Sequence, residues 1–402
     1  MSRRVLISGA GVAGPATAWW LLRGGFEPTL VERAPSFRAG GHIIDFWGLG
    51  YEIAERMGLI PTLRSLGYVY DRAKFVRADG SRASGFGAEV FRRALGEKFM
   101  SLQRGDLARA IFERVEGCAE VIFGDEIASL DEAADGVEVG FASGRRGGFD
   151  LVIGADGLHS AVRRIAFGAT AERWLGYHAA VLESAGYTHR DEGVYVSYAA
   201  PGRQISRFAL SGDRTGFLFV FAAETLSPAL SGTIEEQKAV LIRIFDRNPW
   251  REWPEIRRHL MAAKDLYFDA MSQIALPAWS KGRIALVGDA AYCPSLLAGE
   301  GASFAMTGAY LLAGELAKTR GDHRQSFASY EQRFRPFIEA KQKSARDFAA
   351  SFTPRTRMGL LIRDLTLRAT VIPAVGDRLM GQFVRDEFPL PDYPVQDVFQ
   401  KR

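Results

Sequence analysis

Cysteine and histidine are scarce in this 402-residue sequence. Two cysteines, Cys118 and Cys293, are too few for a disulfide framework or a thiolate metal cluster, and they match a reducing, cytoplasmic setting. The six histidines fall into no Ser-His-Asp pattern, and His178 reads as structural, so neither a metal centre nor a nucleophilic triad is expected. Charge of one sign is also missing. The 51 basic residues are scattered among 47 acidic ones for a net charge of +4, which points to no nucleic-acid partner. Pairs such as Arg92-Arg93, Arg145-Arg146 and Arg257-Arg258 read as solvated surface. There is no tandem repeat and no low-complexity tract. The one run long enough to suggest a membrane span, Val5 to Leu22, is broken by Gly9, Gly11 and Gly14, so no span is expected.

What interrupts that run is informative. Val5, Leu6 and Ile7 form a short buried strand, the three glycines follow at G-x-G-x-x-G spacing, and Pro15 suits the first turn of a helix through Leu22. In such a turn the first glycine permits a tight bend, the second lets backbone approach a pyrophosphate, and the third lets helix and strand touch. The helix amino terminus then offers free N–H groups to phosphate. A second strand, "EPTLVE", ends at Glu32, eighteen residues beyond Gly14, where an acid would hold a ribose hydroxyl. The unit therefore predicts a dinucleotide site.

The order of elements predicts the architecture. Strand patterns near Val69 to Arg77 precede a helix beginning at Arg104, whose apolar residues Leu107, Ala110, Ile111 and Val115 recur at helical spacing. Short strands follow around Glu120 to Phe123, Gly136 to Phe141 and Phe149 to Ile153. Tyr177 to Phe221 then reads as several strands of a mostly antiparallel sheet. Helices resume at Ile234 to Phe245 and dominate from Ser303 onward. In the last of these, "MGLLIRDLTLRATVI" reads either as a buried amphipathic helix or as a membrane-surface helix.

Two further stretches narrow the dinucleotide. "DLVIGADGLHSAVRR", Asp150 to Arg164, is a strand, a Gly-Ala-Asp-Gly turn and a helix capped near Ser160. "GRIALVGDAAYCPSLLAGEGASFAMTGAYLLAGEL", Gly282 to Leu316, delivers Gly288 and Asp289 from a buried strand to a loop running through Gly299 and Gly301 into an apolar helix. With the first glycine turn, these resemble the three fingerprints of the class A flavoprotein aromatic hydroxylases, the para-hydroxybenzoate hydroxylase fold. The tetracycline-inactivating monooxygenases are similar and look like nearer relatives. The motifs fall in family order across about three quarters of the chain.

The resemblance implies that Gly9, Gly11 and Gly14, with Val12 and Ala13, hold the pyrophosphate of FAD, that Glu32 holds the adenosine ribose, and that Arg33 lies along the adenine. Arg104 would reach the phosphate and ribityl region, where a guanidinium offers several fixed donors; alternatively it is a surface ion pair. Asp289 would accept a ribityl hydroxyl, or instead cap a helix. Gly299 and Gly301, with Ala302, would bring backbone to the isoalloxazine edge. Gly41 and Asp45, in "AGGHIIDFWG", resemble the segment beside the ring, although Asp45 could equally organise a turn. Asp156 resembles a residue tied to FAD and nicotinamide, or else joins strand to helix. No second glycine fingerprint is present, which fits transient use of NADH or NADPH.

The sequence departs from the family pattern at Tyr292, Leu296 and Glu300, where histidine, proline and glutamine are common. Glu300, at a helix amino terminus near the ring, is expected to point away. The resemblance implies an α/β fold: a Rossmann-like, discontinuous FAD-binding domain (1–70, 100–175 and 276–352), an inserted, mostly antiparallel β-sheet substrate domain (71–99 and 176–275), and a helical C-terminal segment (353–402) packing across both. It further implies a soluble NAD(P)H-dependent monooxygenase that uses O2 through a flavin C4a-hydroperoxide on an aromatic or polyketide-like small molecule. The alternative is a reductase or dehydrogenase of the same fold; the Trp-x-Trp-x-Ile-Pro stretch of flavin halogenases is absent. Tyr195, Tyr198, Arg207, Phe208, Phe219 and Phe221 are the candidate substrate contacts. Strand alternation admits only about half of them to a pocket, and core packing is the competing role for each phenylalanine.

Overall fold

The computed structural model describes residues 3–37, 43–68, 70–96, 98–168, 172–222, 232–296, 299–370, 372, 374–376 and 386–394. Gly41 with residues 38–42 and Val69 lie outside these. At the centre is the strand Arg4–Ser8, whose Val5, Leu6 and Ile7 are wholly buried. It sits between Leu151–Gly154 and Glu27–Glu32 in a six-stranded sheet, which continues through Ile284–Leu286 to Ser280–Lys281 on one side and to Glu120–Phe123 on the other. Every pairing is parallel except that of the two-residue edge strand Ser280–Lys281. Unbroken apolar runs such as Leu151–Ile153 suit a parallel sheet covered on both faces. The helix Ala13–Arg23 packs between this sheet and the apolar helix Gly301–Lys318.

A second sheet of seven strands runs in the order Tyr267–Ile274, Glu172–Ala185, Arg214–Ala222, Arg203–Ala209, Val194–Ala200, Arg72–Val76 and Arg82–Gly87. It is antiparallel except where Val194–Ala200 meets Arg72–Val76. The strand Glu172–Ala185 runs straight through the boundary expected at residue 176. A bulge between Trp174 and His178 lets it bend without ending, and Gly176 there takes a φ of +80°, a conformation glycine adopts at little cost. One face of the sheet is sealed by the helices Ile234–Ile244 and Trp253–Ala262, through Leu241, Phe245, Trp253 and Ile256. The second of these helices is not among the elements expected from the sequence, although Trp253, Ile256 and Leu260 recur at helical spacing with Pro254 in the first turn.

The C-terminal part touches both sheets' surroundings. The helix Arg357–Ala369 lies on the strand Arg82–Gly87, while Tyr393 donates a 2.7 Å hydrogen bond to Glu315 and Phe388 packs on Phe334 and Phe337. The expected burial of the helix's apolar residues is not what the fold does. Met358, Leu361, Ile362 and Leu365 are each more than half exposed. The face turned inward is polar in part: Asp364 accepts 3.0 Å from Ser84 Oγ, and the Arg363 guanidinium lies 4.2 Å over the Phe75 ring. Among the described residues no helix is long and apolar enough to cross a membrane.

Candidate active site

The glycine turn follows the central strand, and each glycine has its own steric reason. Gly9 has a φ of +102°, and a Cβ there would lie 2.6 Å from the Ala155 carbonyl oxygen. A Cβ on Gly14 would overlap the Gly9 carbonyl and meet Leu30 at 3.3 Å, so only glycine lets helix and strand close up. A Cβ on Gly11 would make only an ordinary contact, 3.8 Å from the Arg104 guanidinium. Val12 and Ala13 are buried in the first turn, and no side chain caps this helix. Glu32 accepts backbone N–H groups from Ala10 and Ala34, both at 2.9 Å, and so braces the turn. Arg33 beside it is exposed.

Arg104 and Asp45 are placed by one ribbon. The strand Ile43–Trp47 pairs with Phe99–Gln103, opposing Asp45 to Ser101, and the latter strand runs directly into the helix that begins at Arg104. Asp45 thus lies within a strand, which sets aside its reading as a turn former. Its carboxylate accepts 2.5 Å from Ser101 Oγ and opens into a large cavity, where enclosure by protein raises its pKa against the lowering effect of that bond. Among the described residues Arg104 has no ion-pair partner, so it is not a surface salt bridge. Asp289 is the acid that its charge influences: burial pushes Asp289 up, and Arg104 opposes the shift. Asp289 opens the short helix Asp289–Tyr292 without capping it, and a Cβ on Gly301 would come 3.6 Å from its Oδ1.

Asp156 does otherwise. Its carboxylate accepts Ser160 Oγ at 2.5 Å and the N–H groups of Ala161 and Val162 at 2.8 and 3.1 Å, so it is spent on anchoring a helix, and Gly157 and Leu158 form the cavity wall in its place. Of its two expected roles, the structural one accounts for its contacts.

The cavity is about 1840 Å³. One side is made by Asp45, Trp47, Arg104, Asp289, Gly299 and Ala302. The other is the uncovered face of the seven-stranded sheet, where Tyr195 stacks on Phe208 at 5.5 Å between ring centroids and Tyr70 meets both edge-on. Burial raises the Tyr70 and Tyr195 hydroxyl pKa values, so both stay protonated donors at neutral pH. Tyr198, Arg207, Phe219 and Phe221 have the opposite parity and point away from the cavity. Tyr198 stacks on Trp250, Phe219 and Phe221 pack on Phe245, and Arg207 pairs with Glu252 at 2.6 Å. Their expected role as substrate contacts is therefore withdrawn. Tyr70, Phe86 and Lys341 are wall residues that the sequence reading passed over. Lys341 left a trace, being a lysine on the helical repeat Tyr330, Phe334, Ile338, Ala345 that is otherwise apolar and buried.

A guanidinium with no ion-pair partner among the described residues and an uncapped helix beside the glycine turn fit a diphosphate, and the cavity that Arg104 borders fits the remainder of a long cofactor. A family model described as an FAD binding domain matches residues 2–345. A flavin-dependent monooxygenase of Legionella longbeachae is 36% identical over 362 residues, covering 85% of this chain and 87% of that protein. The chain belongs to the FAD-dependent monooxygenase family. Within that family it is 29% identical over 425 residues to the FAD-dependent monooxygenase asL4 of Sarocladium schorii, with 97% of this chain and 98% of that one covered. The solved tetracycline destructase Tet(55) superposes with a TM-score of 0.83 at 30% identity, covering 98% and 99% of the two chains. Klebsiella pneumoniae HpxO, solved with FAD and uric acid, shares the fold with this monooxygenase at a TM-score of 0.76 and 22% identity, over 94% and 97% of the chains.

For this monooxygenase, Arg104→Ala should weaken FAD binding by roughly 10- to 100-fold, the loss of about 1.5 to 3 kcal/mol from charge-assisted hydrogen bonds. Titration of the flavin-free protein with FAD, followed by fluorescence quenching, measures this. An unchanged affinity would remove Arg104 from the cofactor site.

Proposed function

We propose that this protein is an NAD(P)H-dependent hydroxylase acting with O2 on a flat aromatic or polyketide-like small molecule. The observation that carries the reading is a single cavity with Arg104, Asp289 and the backbone from Gly299 to Ala302 on one side and an aromatic sheet face on the other. Pockets for one drug-sized ligand run to about 1,000 Å³, and at about 1840 Å³ this one has room for the ring end of a flavin and a further multi-ring ligand, with the glycine turn and Glu32 lying beyond its Arg104 side. Gly9, Gly11, Gly14, Glu32 and Arg104 would hold the adenosine and phosphate portion, and Asp289 the ribityl chain. Asp45 and the backbone from Gly299 to Ala302 would border the ring. Bound FAD would supply the redox chemistry between NAD(P)H and O2. The protein's share is to seat the substrate on Tyr195 and Phe208, to donate from Tyr70 and Tyr195 to its polar groups, and to exclude water. We assign the six-stranded sheet and its helices to cofactor binding, the seven-stranded sheet to substrate, and the C-terminal segment to bridging them.

Relatives named for tetracycline destruction and a neighbour solved with uric acid support a polar, ring-bearing substrate class. The test is reconstitution with FAD, then NADH and NADPH oxidation against a library of phenols and polycyclic ketones under labelled O2. Substrate-stimulated oxidation with label in the product is the expected result. Stimulated oxidation without label would make the protein a reductase, and no stimulation by any ring compound would overturn the substrate class.

A further inference from the structure

Glu300 stands where the resembled family commonly has glutamine, and it does not face solvent. It precedes the first residue of the helix Gly301–Lys318 and is 7% exposed on the cavity wall. Its carboxylate accepts a 2.9 Å hydrogen bond from Lys341 Nζ, and the same ammonium lies 2.6 Å from Asp386 Oδ1. The other oxygen of Asp386 accepts the Leu49 N–H at 2.9 Å. Lys341 comes from the long helix His323–Phe352 and Asp386 from the C-terminal strap, and the ammonium is flanked by the rings of Phe304 and Phe337. Asp289 also lies near, its Oδ1 3.6 Å from where a Cβ on Gly301 would be.

Two carboxylates therefore share one ammonium in a buried place, and with all three ionised the group carries a net negative charge. Asp386 also accepts the Leu49 N–H, whereas Glu300 has no backbone donor among the described residues and stands on the cavity wall, so Glu300 is the member placed to take a proton. Burial pushes Glu300 up to about 8, against the attraction of Lys341 and with the help of Asp386. Glutamine at this place could hold the same hydrogen bond but could not exchange a proton.

Resting on the assignment of FAD to this cavity, we propose that Glu300 is the group that takes up a proton to compensate the charge left on FAD by hydride transfer, with Lys341 and Asp386 as positioning residues that poise it. The balance is simple. FAD and NAD(P)H give FADH⁻ and NAD(P)⁺, and the new negative charge at the ring is offset when the Glu300 carboxylate binds one proton from solvent. At low pH Glu300 is protonated in both redox states and adds nothing. Above its value in the oxidised protein, reduction draws one additional proton.

The test is the two-electron midpoint potential of the FAD-loaded protein as a function of pH, by dye-linked titration. In the wild type the slope should steepen as pH rises, from one proton per two electrons toward two. Ionisation of the reduced ring itself can only lower the proton count with rising pH, so it cannot imitate this. Glu300→Gln should abolish the steepening, and Lys341→Met should move it upward by about one pH unit or more. A uniform offset with the steepening intact in Glu300→Gln would mean a structural role and overturn the proposal. Redox-difference infrared spectroscopy of the wild type needs no variant: a protonated carboxyl band should grow on reduction above pH 8, and its absence would overturn the proposal equally. Failure to take up FAD would overturn both this inference and the cofactor assignment, whereas normal uptake with an unaltered slope would sink this inference alone.

Discussion

Replacing Gly14 with valine should leave little folded, yellow protein, while Gly11→Ala should fold normally and bind FAD poorly. The contrast comes from the two surroundings. A side chain at position 14 overlaps the Gly9 carbonyl and presses on Leu30, in a region where Val5, Leu6, Ile7 and Leu30 are all wholly buried. To make room, the helix Ala13–Arg23 must lift from the central strand, and packed interiors do not yield in that way. Overpacking alone costs about 1 to 3 kcal/mol, and a backbone clash adds to it, against a total stability of roughly 5 to 15 kcal/mol. A Cβ on Gly11 would come only within ordinary contact of the Arg104 guanidinium, at 3.8 Å, and the residue needs no left-handed conformation, so alanine fits the protein. The added methyl group occupies the space a diphosphate would need. Thermal melting together with the bound-flavin absorbance of both variants checks this. A Gly14→Val protein that melts within a degree or two of the wild type would refute the steric account, and full flavin occupancy in Gly11→Ala would displace the cofactor.

Arg207→Ala should destabilise the protein by about 3 to 5 kcal/mol and leave the chemistry of the surviving folded molecules unchanged. Arg207 donates to both oxygens of Glu252, at 2.6 and 3.2 Å, and to Asp191 at 3.1 Å. Both members of the central pair are nearly inaccessible to solvent. Removing the cation leaves Glu252 buried with the Tyr187 hydroxyl, at 2.7 Å, as its remaining hydrogen-bond partner among the described residues, and an uncompensated buried charge carries a cost of this size. Replacing both partners by apolar residues of similar volume should recover much of the loss, because neither charge is then stranded. Chemical denaturation gives the stability, and NAD(P)H oxidation per bound FAD gives the chemistry. An altered KM with unchanged stability would instead return Arg207 to the substrate site.

The Arg207 result bears on how much of the site was legible. Strand alternation said that only about half of the candidate residues could share a face, but it could not say which of them face the cavity, where two of the six, Tyr195 and Phe208, stand. Both faces of the seven-stranded sheet are apolar, one because helices cover it and the other because it lines the cavity, so the pattern carries no sign. Only the packing of Ile234–Ile244 and Trp253–Ala262 onto one face assigned Tyr195 and Phe208 to the cavity and Tyr198, Phe219 and Phe221 to the core. Asp156 was ambiguous for a related reason. A carboxylate beside a turn can serve a ligand or a helix end, and the choice appears only when the N–H groups of Ala161 and Val162 are seen to reach it.

The glycine turn, its flanking strands and Glu32 were readable because their chemistry is local: a strand, a bend and a helix amino terminus within about thirty residues contain their own steric reasons. The union of Glu300, Lys341 and Asp386 was not, since three residues dozens of positions apart acquire a shared charge only when the fold removes water from between them. Sequence by itself determined the turn that would receive a diphosphate and the kind of sheet around it. Tertiary structure decided which side of each strand works and which acid is left to exchange a proton, because burial and proximity are properties of packed surfaces and not of neighbours along a chain.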